Sequence, residues 1–128
     1  MNEIKKKILV VDDDKPIATA MELKLESAGF DVKVVLDGEA ALSAIEREKF
    51  DLIILDLVLP KVSGFEVLEK MNQSGRKYPV VIASNLSQEV DVNKAREYGV
   101  VDFFVKSDTP LSKIVDNVNN IINRSSSR

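Results

Sequence analysis

The sequence predicts an α/β protein in which one parallel β-sheet is covered by helices on both faces. Short apolar runs alternate five times with segments of helical period along the 128 residues. Most of these runs are apolar at nearly every position, which is typical of parallel strands whose two faces are both buried. Strands that alternate with helices favour a single doubly wound domain, and the chain has the length of one domain.

The five predicted strands are short, and polar residues follow most of them. They comprise residues 8–11, 30–36, 52–55, 79–84 and 101–105. Open parallel sheets bind their ligands beyond the carboxyl ends of the strands. The residues that follow each run are therefore the first candidates for function.

Turn and capping residues mark the helices between the strands. Pro16 follows three aspartates and suits the first turn of the first helix, which stops at Gly29. Gly99 closes the fourth helix, whereas Thr109 and Pro110 predict the N-cap and the first residue of the fifth. The face of this last helix is apolar at helical spacing, with Leu111, Ile114, Val115, Val118, Ile121 and Ile122.

Two residue types that carry much enzyme chemistry are missing, since the sequence contains no Cys and no His. The first absence excludes disulfides, thiol nucleophiles and thiolate metal sites, and the second removes the commonest general base. Chemistry must therefore depend on carboxylates, hydroxyls and lysines. Oxygen ligands of this kind suit hard cations such as Mg²⁺, Mn²⁺ or Ca²⁺.

The remaining composition is ordinary for a globular protein, with 45% hydrophobic and 30% charged residues. The net charge of -3 gives no general case for nucleic-acid binding. No run approaches the roughly 18 apolar residues of a membrane span, and the apolar run near the N-terminus is too short for a signal peptide. We therefore expect a cytoplasmic protein that binds neither nucleic acid directly nor a membrane.

Polar residues end or follow four of the five predicted strands. Residues 12–14 are all Asp and follow the first strand, and Asp56 follows the third. Ser84 closes the fourth strand, and Lys106 follows the fifth. Because the carboxyl ends of parallel strands share one edge of the sheet, we expect these side chains to converge there.

The chemistry of the converging side chains favours a metal and an anion. Carboxylates that crowd together at low dielectric repel one another, and a bound cation relieves the repulsion. Mg²⁺ fits because it commonly uses one or two carboxylates together with waters and phosphate oxygens. Lys106 and Ser84 would then supply a positive charge and a hydroxyl to an arriving anion, an arrangement typical of phosphoryl transfer.

Each of these residues also has an ordinary structural explanation. Aspartates before a helix commonly act as N-caps, and we assign that role to Asp14. A lysine after a strand is usually solvated, and a serine in that place is usually a cap or turn residue. Their coincidence at the ends of four separate strands nevertheless favours a functional site.

Four segments carry a resemblance to a known family. They are VVDDD at 10–14, LDLVLPKVSG at 55–64, PVVIAS at 79–84 and FFVKS at 103–107. Together they closely resemble the receiver domains of bacterial two-component response regulators. In that family the central aspartate is followed by a proline four residues later and a glycine eight residues later, as Asp56 is by Pro60 and Gly64.

The resemblance covers residues 7–123 and implies more about the fold than the periodicity does. It implies the flavodoxin-like sheet of five parallel strands in the order 2-1-3-4-5. We expect the receiver domain to span residues 1–123 and a polar tail to span residues 124–128. The chain would either stand alone or be a piece of a longer regulator.

The resemblance also implies which residues perform the chemistry. Asp56 would accept a phosphoryl group from a phosphohistidine of a sensor histidine kinase or phosphotransfer protein, aided by Ser84 and Lys106. Because the sequence has no His, this chain cannot itself carry the donor.

A metal site is implied beside the phosphoacceptor. Asp13 and Asp56 would bind Mg²⁺ directly, with Mn²⁺ as a second candidate. Asp12 would act through water, and the carbonyl of Val58 would complete the ligands that the protein supplies.

Phosphorylation would, by the same resemblance, change one face of the molecule. The Ser84 hydroxyl would move toward the phosphoryl group, and Phe103 on the fifth strand would turn inward behind it. The fourth helix, fifth strand and fifth helix, residues 89–122, would then present a changed surface to a separate partner or a missing output domain. The chain would be a monomer or a phosphorylation-dependent dimer. The candidate partner contacts on this face are Lys94, Glu97 and Tyr98.

Four positions depart from the common family pattern: Val58, Asn85, Leu86 and Ser107. Val58 and Leu86 are apolar where polar side chains would orient an attacking water, so we expect slow autodephosphorylation. Asn85 stands where the family commonly has Ala or Gly, and its amide would crowd or bond the phosphoryl group. Ser107 replaces a proline whose peptide bond is often cis. We expect a trans bond here, because a non-proline cis bond costs about 2.5–4 kcal/mol.

Three other functions compete with this interpretation. A phosphatase of the haloacid-dehalogenase type needs an aspartate where Val58 stands, and a dinucleotide-binding oxidoreductase needs G-x-G-x-x-G where residues 11–16 read VDDDKP. A phosphorylation-independent pseudo-receiver that serves as a docking module stays open, although such chains usually lose the aspartate, the acid pair or the lysine. We expect a signalling switch rather than an enzyme that turns over an external substrate.

Overall fold

The fold is a five-stranded parallel sheet between two layers of helices. The computed structural model describes residues 4–75, 78–86 and 88–126. The strands are β1 (Lys7–Val11), β2 (Asp31–Val35), β3 (Leu52–Leu55), β4 (Val80–Ser84) and β5 (Asp102–Val105). Their order across the sheet is β2-β1-β3-β4-β5, and every neighbouring pair is parallel. The predicted fold class and strand order are confirmed.

Five α-helices connect and cover the strands. They are α1 (Lys15–Ser27), α2 (Gly38–Arg47), α3 (Gly64–Gln73), α4 (Glu89–Glu97) and α5 (Leu111–Ser126). Buried side chains of α1 and α5 pack on one face of the sheet, and those of α2, α3 and α4 pack on the other. None of the helices within the described residues has the length and apolarity of a membrane span.

The two-sided burial of the sheet explains its apolar strands. Successive residues of β1 point to opposite layers, so Ile8 packs toward α1 and α5 while Leu9 packs toward α2, α3 and α4. Ile53 and Ile54 of β3 divide in the same way, and all four side chains are buried. Each such side chain contributes about 1.5–3 kcal/mol through burial, so the central strands tolerate no polar residue until they reach the edge of the sheet.

The start of α5 differs from the prediction by one residue. Thr109 is extended and caps a short 3₁₀ turn, Lys106–Asp108, which precedes the helix. The carbonyl of Pro110 accepts hydrogen bonds from the N–H groups of Lys113 at 3.0 Å and Ile114 at 3.3 Å. Pro110 therefore occupies the N-cap position predicted for Thr109, since the N-cap carbonyl accepts the first helical bond.

Smaller differences concern the ends of several other elements, of which the second strand and the fifth helix are examples. The second strand is one residue shorter at each end than the predicted range 30–36. The fifth helix continues to Ser126 and so includes residues that the sequence assigned to the polar tail. Strand and helix ends depend on individual hydrogen bonds, which periodicity locates only to within a residue or two.

The loop between β3 and α3 rests directly on the start of α2. A Cβ atom on Gly38 would lie 1.9 Å from the carbonyl oxygen of Val62, so the two backbones touch. The N–H of Gly38 donates to the carbonyl of Pro60 at 3.4 Å, and the ammonium of Lys61 lies 3.8 Å from Asp37. Lys61 adopts a positive φ of 68°, which keeps the loop tightly folded. The loop that begins just after Asp56 is thereby held at its far end.

We predict that Gly38→Ala destabilises the protein. Alanine favours helix by up to about 1 kcal/mol, but its methyl group would overlap a backbone carbonyl, and overpacking of this kind costs about 1–3 kcal/mol. The cost of the overlap should exceed the gain in helix propensity because Val62 cannot move without shifting the loop. Urea unfolding should show the loss, with Ser43→Ala on the exposed side of the same helix as the control. Equal stability of the two variants would contradict this account.

Candidate functional site

The candidate site lies at the carboxyl edge of the sheet. Asp12 follows β1 and Asp56 follows β3, and the last residues of these strands, Val11 and Leu55, are paired. The pairing places the two aspartates side by side at the same edge. Both are buried, with 5% of Asp12 and 4% of Asp56 exposed.

Lys106 brings a positive charge into contact with both aspartates. Its Nζ lies 2.9 Å from Oδ2 and 3.1 Å from Oδ1 of Asp12, and 2.8 Å from Oδ2 of Asp56. Only 10% of the lysine side chain is exposed. One ammonium therefore bridges two buried carboxylates from neighbouring strands.

Backbone N–H groups also donate hydrogen bonds to the two carboxylates. Oδ1 of Asp12 accepts the N–H of Asp14 at 2.9 Å, and Oδ1 of Asp56 accepts the N–H of Val58 at 3.0 Å. The backbone N–H of Asp56 also donates to the carbonyl of Val11 at 3.0 Å. Each carboxylate is thus fixed between a loop amide and the lysine, so neither needs to reorganise before it reacts or binds.

Shared charge and burial shift the pKa values of the cluster. Burial raises the pKa of the Asp12 carboxyl, and outweighs the lowering by the Asp14 amide and the Lys106 ammonium. Burial by itself would lower the pKa of Lys106, but hydrogen bonds to Asp56 and Asp12 outweigh burial and raise it. The two pKa values are raised for different reasons. Lys106 faces two anions, which favour its protonated form, whereas Asp12 faces one cation and also a second anion, so the cation does not overcome the effect of burial.

The cluster has the composition of a hard-cation site. Carboxylate oxygens of Asp12, Asp13 and Asp56 all lie within 4.8 Å of one another, and Asp13 is exposed while the other two are buried. Three carboxylates against the single ammonium of Lys106 leave two uncompensated negative charges, the charge of one divalent cation. All donors are oxygens, and the exposed side admits the waters that Mg²⁺ keeps, so these residues fit Mg²⁺.

The end of β4 places three more of the predicted residues near this edge. Ser84 is fully buried, and its Oγ accepts the N–H of Leu86 at a long 3.4 Å. Leu86 is half-buried and packs on the core. Asn85 is exposed, and its Oδ1 accepts the N–H of Ser107 at 2.8 Å. No peptide bond within the described ranges is cis, so the bond between Lys106 and Ser107 is trans as predicted.

Phe103, which is predicted to act in switching, lies on β5, and the candidate partner contacts lie on α4 or directly after it. Phe103 is half-buried and packs on the core beneath α2, α3 and α4, whereas Phe104 packs on the opposite core. Lys94 of α4 lies over the ring of Phe65, 4.5 Å from its centroid. Tyr98 is half-buried against the same core as Phe103.

Three contacts near the site were not predicted from the sequence: Asn85 with Ser107, Gly38 with Val62, and Lys94 with Phe65. Asn85 and Ser107 each depart from the family pattern, and these two departures are the only sign of the first contact that the sequence analysis found. The other two join elements far apart in sequence, and no local pattern marks them. Gly64, by contrast, was part of the motif: a Cβ there would lie 2.5 Å from the carbonyl oxygen of Asp56.

Comparison with known proteins identifies the family. Residues 8–119 match the model of the response regulator receiver domain. The chain belongs to this family. Receiver domains are the signalling modules of two-component response regulators, and not turnover enzymes.

Individual relatives agree with this assignment. The receiver chain is 41% identical over 105 residues to the alkaline phosphatase synthesis transcriptional regulatory protein PhoP of Bacillus subtilis, covering 82% of this chain and 44% of PhoP. It is 33% identical over 108 residues to the regulatory protein VanRc of Enterococcus gallinarum, covering 84% of this chain and 46% of VanRc. The chain thus spans less than half the length of these relatives.

Solved structures share the whole receiver fold. The receiver domain of Francisella response regulator 1452 superposes with a TM-score of 0.88 at 30% identity, covering 94% of this chain and 99% of that one. A CheY-like receiver domain protein from Methanospirillum hungatei reaches a TM-score of 0.89 at 23% identity, covering 96% and 98% of the two chains. The second likeness shows that the CheY-type, flavodoxin-like fold persists when most of the sequence has changed.

We predict that Lys106→Met destabilises the receiver at neutral pH without added metal. Removing one partner of a buried ion pair costs about 3–5 kcal/mol, and the lower end applies because exposed Asp13 admits water to the cluster. Urea unfolding measures the loss, and added Mg²⁺ should recover part of it by binding the freed carboxylates. The control is Lys113→Met, an exposed position on α5. A loss no larger than that of the control would show that the ammonium does not stabilise the cluster.

Proposed function

We propose that this receiver is a phosphorylation switch whose phosphoacceptor is Asp56. The observation that carries the proposal is the buried Asp56 carboxylate, held by a backbone amide on one oxygen and by Lys106 on the other. The donor is a phosphohistidine of a sensor histidine kinase or phosphotransfer protein in the cytoplasm. A carboxylate oxygen attacks the phosphorus, the P–N bond breaks, and the imidazole leaves as an aspartyl phosphate forms.

The carboxylates at the same edge would hold the divalent cation. Asp13 and Asp56 bind Mg²⁺ directly, Asp12 acts through water, and the carbonyl of Val58 completes the protein ligands; Mn²⁺ has similar preferences. When bound, the cation neutralises the charge that the phosphoryl group brings to a cluster that is already negative. The two uncompensated charges and the oxygen-only donor set support this assignment.

Lys106 and Ser84 would complete the site by binding phosphoryl oxygens. The ammonium already touches the oxygen of Asp56 that faces the cluster, so it needs to move little to reach a group attached there. Within the described residues the Ser84 hydroxyl accepts one long hydrogen bond, from the N–H of Leu86, and its own proton can be donated to a charged phosphoryl oxygen. Both groups stabilise the product more than the free carboxylate.

The readout would follow from the movement of Ser84. As its hydroxyl shifts, Phe103 turns inward and the face formed by α4, β5 and α5, residues 89–122, changes. A downstream protein, a separate output domain or a second copy of the chain then binds through residues such as Lys94, Glu97 and Tyr98. PhoP is named as a transcriptional regulatory protein and MtrA of Mycolicibacterium smegmatis as a DNA-binding response regulator, and both are more than twice as long as the matched segment, which supports a separate output.

We predict that the receiver incubated with Mg²⁺ and acetyl phosphate gains one phosphoryl group, detected by intact-protein mass. Asp56→Asn should abolish the adduct because it keeps the shape of the side chain but removes the nucleophilic charge. Omission of Mg²⁺ should abolish it as well. Absence of both an adduct and Mg²⁺ binding would contradict the switch and favour the phosphorylation-independent docking module.

We predict that the aspartyl phosphate is lost slowly and that Val58→Asn accelerates the loss. Val58 is 55% exposed, so a polar side chain can replace it without disturbing the core and can orient an attacking water. Leu86 is a less suitable position because it packs on the core. The decay of the phosphorylated mass measures both rates, with Val58→Ile as a control that keeps an apolar, β-branched side chain. Minute-scale loss from the wild-type chain would contradict the prediction.

A further inference from the structure

One side chain joins the two loops that carry Ser84 and Lys106. Oδ1 of Asn85 accepts the backbone N–H of Ser107 at 2.8 Å. Asn85 directly follows Ser84, and Ser107 directly follows Lys106. We propose that Asn85 is a positioning residue: through Ser107 it fixes the backbone from which Lys106 reaches Asp12 and Asp56.

The link extends the pairing of β4 and β5 beyond the end of the sheet. The last paired residues of these strands are Ser84 and Val105, after which the backbone ladder stops. The carboxamide of Asn85 spans the gap that follows and reaches the chain two residues further on. The two loops are therefore connected where the regular hydrogen bonds have ended.

The backbone around Lys106 depends on this link because its own hydrogen bonding is weak. Lys106–Asp108 is a single 3₁₀ turn, and the bond that closes it, from the N–H of Thr109 to the carbonyl of Lys106, is 3.5 Å long. The N–H of Ser107 lies in the first turn, where backbone donors have no acceptor within the helix. Asn85 supplies that acceptor from the loop after β4 and so caps the turn that begins with Lys106.

The observed orientation commits the Asn85 oxygen to Ser107 and favours action through Lys106, and direct donation from Nδ2 to a phosphoryl oxygen is the alternative that the double-mutant comparison below tests. A backbone N–H only donates, so the atom of Asn85 that faces Ser107 is the carboxamide oxygen. An oxygen committed in this way offers nothing to phosphoryl oxygens, which are also acceptors. Asn85 acts on the site through the position of the ammonium.

A consequence is that Ser84 and Lys106 do not move independently. A shift of Ser84 carries Asn85 with it, and Asn85 draws Ser107 and the 3₁₀ turn in the same direction. The hydroxyl and the ammonium then approach an anion at Asp56 together. This coupling requires neither a proline after Lys106 nor a cis peptide bond, since Ser107 follows the lysine and the bond between them is trans.

The first measurement tests the link itself and is independent of phosphorylation. Asn85→Ala should speed amide hydrogen exchange at Ser107 by about two- to tenfold, the range that one hydrogen bond supports. Asn85→Asp keeps an acceptor oxygen in the same place and should restore protection. The matched control is Asn93→Ala, an exposed asparagine on α4. Unchanged exchange at Ser107 in Asn85→Ala would overturn the proposal.

The second measurement tests positioning and rests on the proposed function. The rate of Asp56 phosphorylation by acetyl phosphate with Mg²⁺ should fall about two- to tenfold in Asn85→Ala and stay unchanged in Asn93→Ala. A faster rate in Asn85→Ala would show crowding, and an unchanged rate would show no positioning; either result overturns the proposal. If the wild-type chain forms no adduct, the proposed function fails, while the exchange experiment still decides whether the link exists.

A double-mutant comparison separates action through Lys106 from direct action. In a Lys106→Met background the substitution Asn85→Ala should have no further effect on the phosphorylation rate, because the group that it positions is gone. The same comparison applies to the lifetime of the adduct. An effect as large as in the wild-type background would show that Asn85 acts directly on the phosphoryl group.

Discussion

The ammonium of Lys106, shared between Asp12 and Asp56, is the interaction on which the organisation of the site depends. Its partners lie 94 and 50 residues away in sequence, so only the completed sheet brings them together. Strands lie about 4.8 Å apart, and β4 separates β3 from β5, so the gap between β3 and β5 is about 10 Å of sheet edge. The lysine side chain and the two aspartate side chains together span this distance by reaching toward each other, and the buried carboxylates fix the position of the ammonium.

The class of the fold follows from the sequence because burial on both faces requires strands that are apolar throughout. The order of the strands does not follow from periodicity, which says nothing about which strands are neighbours; the family resemblance supplied it. The start of α5 was misplaced by one residue for a related reason. The 3₁₀ turn before it is capped by Asn85, a tertiary contact from the loop after β4 that no local pattern around Thr109 or Pro110 reveals.

The central residues of the site were predictable because topology does most of the positioning. Asp12, Asp56 and Lys106 follow three strands of one parallel sheet, and any such residues meet at its carboxyl edge. What the sequence could not supply was the angle between neighbouring loops. The contact of Asn85 with Ser107 and the contact of Gly38 with Val62 both depend on that angle, although they determine how firmly the site is held.

The α4 helix packs on the core through few residues, and this has a consequence for how the family can diversify. Ala95 is the one buried residue of this helix, whereas α2 and α3 each bury four. The contact of Lys94 with Phe65 adds a cation–π interaction of about 0.5–1 kcal/mol at an exposed position. The outer surface of α4 can therefore accept new residues at little cost to folding, whereas the carboxyl edge of the sheet cannot. If α4 belongs to the readout face, as proposed, recognition of partners can evolve quickly on this helix while the proposed chemistry stays constant.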